Sequence, residues 1–147
     1  VWNAFVQSYK NTPHFDEHEA EFNDIFVGNR SEKLVDMNLR IITLVRRILS
    51  IETPMVMASE LGVTTHRSKL LAEICEKLGA DSYLSGPSGR DYLDGSEFSN
   101  RGINVVFHEF HHPEYSQIHG EFMPYMSTID LIFNHGPRAR NILLGDA

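Results

Sequence analysis

Residue types able to do chemistry gather first between Ala80 and Leu93, in the stretch ADSYLSGPSGRDYL. A short apolar run, Tyr83-Leu84, breaks into Ser85-Gly86-Pro87-Ser88-Gly89 and then into Arg90, Asp91 and Tyr92. That is the pattern of a buried strand ending in a tight, glycine-bearing loop. In open α/β sheets, ligands collect beyond the carboxyl ends of the strands, where glycine lets backbone N–H groups approach them closely. Ser85, Gly86, Pro87, Ser88 and Gly89 are therefore candidates to bind an anionic or sugar-like group, with Arg90 and Tyr92 assisting. Hydroxyl and amide donors suit such groups because several charge-assisted bonds can converge without bulk. The competing reading is a turn in which glycine and proline serve only geometry. Neither serine has a base beside it in sequence, so neither is assigned as a nucleophile.

A second concentration is His108, His111 and His112 around Glu109, with His119 following. Imidazole and carboxylate can hold zinc. An extended chain through residues 103–110 would point His108 and Glu109 to opposite faces, however, and the sequence has no His-x-x-x-His helix or cysteine pair. No metal site is expected. His112, or else His108, is a candidate general acid or base, because imidazole titrates near neutrality and a loop beside strand ends is where such a group acts. The competing reading is a solvated or hydrogen-bonded loop histidine. Ser59-Glu60 follows the strand candidate Met55-Val56-Met57 and is expected at the same rim as the glycine loop. Glu60 could there orient a hydroxyl or amine of the substrate as a catalytic carboxylate; otherwise it caps a helix or is simply solvated. Asp130, three residues after Ser127, fits a capping box. Asn134 and His135 read as structural, and Cys75 as a small core residue.

These residues need elements to position them. Trp2, Phe5, Val6 and Tyr9 recur at helical spacing up to Thr12-Pro13. Phe15, Phe22, Ile25 and Phe26 predict a second helix, broken at Gly28-Asn29, with Asn29 and Glu32 as a possible capping box or Ser31 as the cap. Leu34, Val35, Ile41, Ile42, Val45, Ile48 and Leu49 form the broad stripe of a third helix, which leaves Arg40, Arg46 and Arg47 on a solvated face. A helix from about Thr65 to Leu78, with Leu70, Leu71, Ile74 and Leu78 inward, stops at Gly79. Ile103–Phe107 predicts another strand. His111–Pro124 is a long loop, a feature that in compact domains is commonly functional or mobile. Ser127 opens a helix through Phe133, and Gly136-Pro137 ends it and starts a last short one.

Strands alternating with helices argue for parallel pairing. The expected class is α/β: a small, mostly parallel sheet flanked by helices in a Rossmann-like three-layer arrangement, continuous with a larger sheet. The 147 residues suit a single α/β domain. Composition is ordinary for a globular chain, with 41% hydrophobic and 22% charged residues. A net charge of −7 argues against a general nucleic-acid binder, which needs surplus Lys and Arg. The lone cysteine excludes an internal disulfide and fits a reducing, cytoplasmic setting. No run approaches a membrane span and no secretory signal pattern is present. Val1-Trp2-Asn3-Ala4-Phe5 is amphipathic from its first residue and lacks methionine, which suggests that the chain begins inside a longer protein.

Three blocks carry a family resemblance. Tyr83-Leu84-Ser85-Gly86-Pro87 running on to Arg90-Asp91-Tyr92-Leu93, Pro113-Glu114-Tyr115 with Gln117, and Ser127–Pro137 (STIDLIFNHGP) together resemble the signature of the WbqC-like family. The resemblance covers nearly the whole chain. It implies that the chain is the C-terminal portion of a longer protein whose N-terminal part carries a Gln-Pro motif after a first strand. It also implies a bacterial, enzyme-like protein of cell-surface polysaccharide (O-antigen) biosynthesis, with group transfer involving a small nucleotide- or carrier-linked substrate as the expected chemistry. It names no cofactor. Two positions depart from the pattern: Leu70 stands where an arginine is usual, with Arg67 and Lys69 nearby, and His112 stands where an aromatic is common before Pro113.

Two rival functions are open at this level. One is a non-catalytic module that uses the same loop to bind a nucleotide or carbohydrate without turnover. The other is a helix-turn-helix DNA reader, since Ala58-Ser59-Glu60-Leu61-Gly62-Val63 has that motif's spacing. Pro54 and Met-Val-Met make a poor first helix for it, and Ser68 falls where it wants a branched apolar residue.

Overall fold

A computed structural model describes residues 2–29 and 31–145. Seven α-helices are present among them: α1 (Trp2–Tyr9), α2 (Phe15–Asn23), α3 (Leu34–Ile48), α4 (Arg67–Lys77), α5 (Ser96–Ser99), α6 (Thr128–His135) and α7 (Ala139–Leu144). The two strands, β1 (Ser82–Ser85) and β2 (Asn104–Phe107), pair in parallel with Ser82 opposite Asn104 and Ser85 opposite Phe107. The chain divides into two compact units, one built from the segments up to Thr53 and from His112 onward, the other from Pro54–His111. The expected mixture of helices with a small parallel sheet is present.

The first unit is helical and is centred on Phe133, which is fully buried. The rings of Phe5, Tyr9, Phe15 and Phe22 stand 5.3–5.6 Å from it. Those separations suit edge and tilted aromatic packing. The α1 helix stops where Thr12 bonds back to the Tyr9 carbonyl through both its N–H and its hydroxyl, just before Pro13. A π-helical turn, Asp24–Gly28, continues α2. The inward face of α3 is Met37, Ile41, Leu44, Val45 and Ile48. Leu34, Val35 and Ile42 are exposed, so the buried stripe is narrower than the run of apolar residues suggested. Lys33, rather than Asn29 or Ser31, occupies the N-cap, without a side-chain bond.

The second unit holds the sheet. One of its faces, carrying Tyr83 and Val105, packs on a core of Ala72, Cys75, Phe98 and Ile103, and Tyr83 stacks on Phe98 at 5.1 Å. Cys75 is thus the core residue expected. The other face carries Leu84 and Val106, which stay exposed at 64% and 43%. Helix α4 turns Ser68, Leu71, Ala72 and Cys75 inward and leaves Leu78 exposed, a face rotated from the one its leucines predicted.

Two expectations are corrected here. Met55-Val56-Met57 forms no strand among the described residues: Pro54 has no N–H to donate, Met55 and Val56 are exposed, and no neighbouring strand accepts them. The residues that follow make a single 3₁₀ turn, Ala58–Leu61, ending at Gly62 in the left-handed region (φ 62°). A helix-turn-helix would need a full helix at that place, so the DNA-reader reading loses its first element.

Candidate functional site

The glycine loop leaves the carboxyl end of β1 and winds into a 3₁₀ turn, Pro87–Asp91. Proline at the first position presets the backbone for this turn, and Gly89 N–H donates to the Gly86 carbonyl at 3.0 Å. The turn sorts the loop residues into two groups. Ser85 and Gly89 are buried. A methyl group on Gly89 would lie 2.0 Å from Ser85 Oγ, so that glycine is required by close packing. Ser85 keeps its hydroxyl inside, donating to the Gly86 carbonyl at 3.0 Å. Gly86, Pro87, Ser88, Arg90 and Tyr92 are exposed. Gly86 has an ordinary extended backbone (φ −64°, ψ 162°) and nothing within 4 Å of where a Cβ would sit, so the fold itself does not demand glycine there.

The end of β2 meets this loop. His108 N–H donates to the Ser85 carbonyl at 2.8 Å, one step past the last paired residues. The Arg90 guanidinium lies over the Phe107 ring, 4.3 Å from its centroid, and 3.4 Å from Glu109 Oε1. This is a cation–π contact with a peripheral ion pair. His108, exposed, stacks on Phe110. The parallel pairing therefore brings Gly86, Arg90, Phe107, His108 and Glu109 to one rim.

Glu60 sits in the 3₁₀ turn Ala58–Leu61. Its turn is joined to the last turn of α4, where Lys77 Nζ donates to the Leu61 carbonyl. The glycine loop is joined to the first turn of the same helix, where Asp94 N–H donates to Ser68 Oγ at 2.9 Å. Eleven residues of helix span roughly 16 Å. The two attachments thus lie at opposite ends of α4, and the absent strand at 55–57 removes the reason for a shared rim.

His112 belongs to the first unit. It is half-buried, with its Nδ1–H donating to the Pro113 carbonyl at 2.8 Å, which makes Nε2 the basic nitrogen. Its ring packs beside Tyr115, Phe122 and Tyr125 at 5.2–6.0 Å.

Close by in that unit is a network that spacing arguments miss. Asp130 is buried, and its Oδ2 accepts from the Tyr115 hydroxyl at 3.0 Å and from Gln117 Nε2 at 2.9 Å. Burial, reinforced by the Asp130 carboxylate, pushes the Tyr115 phenol up to about 12. Burial also raises the Tyr9 phenol, with Asp130 adding to the effect. Gln117 clasps the backbone of Met123 in both directions. Asn134 Oδ1 accepts from Ile118 N–H, and His135 Nε2 donates to the Ser116 carbonyl. The His135 Nδ1 atom is buried with no hydrogen-bond partner. Ser127 does cap α6, accepting from Ile129 N–H. Asp130 instead turns inward to hold the long loop, and the network joins Pro113–Gln117 to the STIDLIFNHGP helix.

Among the described residues, no three His, Cys, Asp or Glu side chains gather as metal ligands would, and no helix is long and apolar enough to cross a membrane.

A model of the WbqC-like protein family matches residues 1–142. The chain is similar to an uncharacterized protein, Rv1507c, of Mycobacterium tuberculosis (strain ATCC 25618 / H37Rv), with 29% identity over 143 residues. The match covers 97% of this chain and 62% of that relative, so the chain spans less than two thirds of its length. No solved structure matches.

Proposed function

Because this chain belongs to the WbqC-like protein family, we propose that it is part of a cytoplasmic group-transfer enzyme acting on a nucleotide- or carrier-linked substrate in bacterial cell-surface polysaccharide biosynthesis. The observation that carries this reading is the exposed rim at the carboxyl ends of β1 and β2. There the open backbone of Gly86 and the exposed Ser88 share one turn with Arg90, whose guanidinium lies over Phe107 at the end of β2. Carboxyl-end rims of parallel strands are where α/β proteins hold ligands. Ser85 and Gly89 shape the loop from inside, Pro87 sets its turn, and Tyr92 extends its exposed surface.

In this proposal the two strands belong to a larger Rossmann-like, three-layer sheet. Two strands alone are marginal in water, and Leu84 and Val106 present an uncovered apolar face. His112 is the proposed acid–base group, with Nε2 as the atom that exchanges a proton. Glu60 is proposed to orient a hydroxyl or amine on a part of the substrate remote from the group held at the rim, since its turn is joined to the other end of α4.

The test is a turnover assay on the full-length protein with nucleotide-linked sugars. Product formation that is lost in Gly86→Val supports transfer. Ligand binding without any turnover supports the second reading, a non-catalytic nucleotide- or carbohydrate-binding module, which the same exposed loop would equally serve.

A further inference from the structure

Beside the glycine loop, the second unit contains a cleft of about 480 Å³ lined by Arg67, Leu70, Leu71 and Tyr92. That size lies within the range of small-molecule sites. Its lining is chemically divided. Leu70 and Leu71 are half-buried and form an apolar floor, and Tyr92, 66% exposed, supplies an aromatic wall. Arg67 supplies a cation. Of the three arginines in this unit, Arg90 pairs with Glu109 and Arg101 with Glu97, Glu73 and Glu76. Arg67 alone has no acidic partner among the described residues. The carboxylate of Asp94 accepts the N–H and hydroxyl of Ser96 on one of its oxygens, Oδ1.

We propose that this cleft binds the nucleoside diphosphate part of the substrate, with the base against Tyr92 and the leucine floor and a phosphate on the Arg67 guanidinium. The inference rests on the substrate class proposed above and narrows it from a nucleotide- or carrier-linked group to a nucleotide. An aromatic face offers stacking area to any base. A guanidinium offers two parallel donors to a phosphate. Together they suit a ligand that carries a flat ring and an anionic group side by side. Arg67 has φ 55°, in the left-handed region that a non-glycine residue occupies at a cost.

The backbone of Arg67 makes the test clean. Arg67→Gly removes the guanidinium while relieving the left-handed strain, so binding can be lost without loss of fold. Titration calorimetry of the full chain with UDP, ADP, uridine and inorganic pyrophosphate is the measurement. UDP and ADP are expected to bind with similar affinity, and uridine and pyrophosphate at least about tenfold more weakly. Arg67→Gly should weaken UDP by a similar factor with no fall in thermal midpoint, and Tyr92→Ala by about 5- to 150-fold, as loss of a stacking partner does. UDP affinity unchanged in both variants overturns the cleft assignment. If Gly86→Val abolishes that same binding, the rim reading stands without the cleft. Pyrophosphate binding as tightly as UDP, or no nucleoside diphosphate binding at all, also overturns it. Turnover of a carrier-linked substrate would then judge the rim by itself.

Discussion

Tyr115 and Asp130 are separated by fifteen residues in the chain and by 3.0 Å in space, the phenol donating to a buried carboxylate. This bond, with the one from Gln117, fastens a long irregular loop to α6. Tyr115→Phe removes one donor from Asp130 at almost constant volume. The expected loss is about 1.5–3 kcal/mol, the usual range for a hydrogen bond to a charged group. Urea unfolding of the full chain measures it. A change within about 0.5 kcal/mol, the scatter of surface substitutions, would contradict the assigned role.

The same pair sets a pH dependence. The folded Tyr115 phenol is raised to about 12 from an ordinary value of 10.0. Between those values the folded chain holds a proton that the unfolded chain releases. Stability is therefore fully present below pH 10 and falls as pH rises from about 10 to about 12. Phenolate absorbance should show late-titrating tyrosines, Tyr115 shifted furthest with Tyr9 and Tyr83 also raised, and Tyr115→Phe should remove the latest component. Absence of a late phenol in the unmodified chain would sink the prediction.

Gly89 and Ser85 occupy nearly the same space. Gly89→Ala places a methyl 2.0 Å from Ser85 Oγ and 3.0 Å from Leu93 Cδ1. Overpacking of this kind costs about 1–3 kcal/mol. Ser85→Ala in the same chain removes the worst contact, so the double variant should recover part of the loss. A double-mutant cycle that is simply additive would contradict the packing account.

His112→Gln and Glu60→Gln address proton transfer. In the full-length protein, His112→Gln should lower turnover by about 10²–10⁴-fold, the usual weight of a positioned acid or base. It should also flatten one limb of the pH–rate profile. Glu60→Gln should lower turnover with affinity for the group held at the rim unchanged. An unaltered pH–rate profile would remove His112 from the chemistry, and an affinity for that group that falls with Glu60→Gln would move Glu60 to the rim.

Much of the fold follows from signals between neighbouring residues. The stops at Thr12-Pro13 and Gly136-Pro137, the cap at Ser127 and the parallel runs at 82–85 and 104–107 each depend on a few adjacent residues. What failed depended on distant partners. Met55-Val56-Met57 has the composition of a strand, but a strand also needs a neighbour. The face of α4 is decided by Phe98 and Ile103, which draw in Ala72 and Cys75 rather than Leu78. Asp130 fits capping spacing by coincidence, since its real partners arrive from residues 115 and 117. Within the candidate site the loop's composition was legible, but its division was not. Only the turn geometry reveals that Ser85 and Gly89 face inward while Gly86, Ser88 and Arg90 face solvent.

The central claim is that the loop after β1 touches ligand. Amide chemical-shift mapping of the full chain during titration with a UDP-linked sugar, after subtraction of the shifts that UDP alone produces, tests it most directly. The account predicts shifts concentrated at Gly86, Ser88, Gly89 and Arg90 and abolished by Gly86→Val, whose side chain would project into open space without disturbing the fold. Shifts that leave those amides untouched, or that persist unchanged in Gly86→Val, would contradict it.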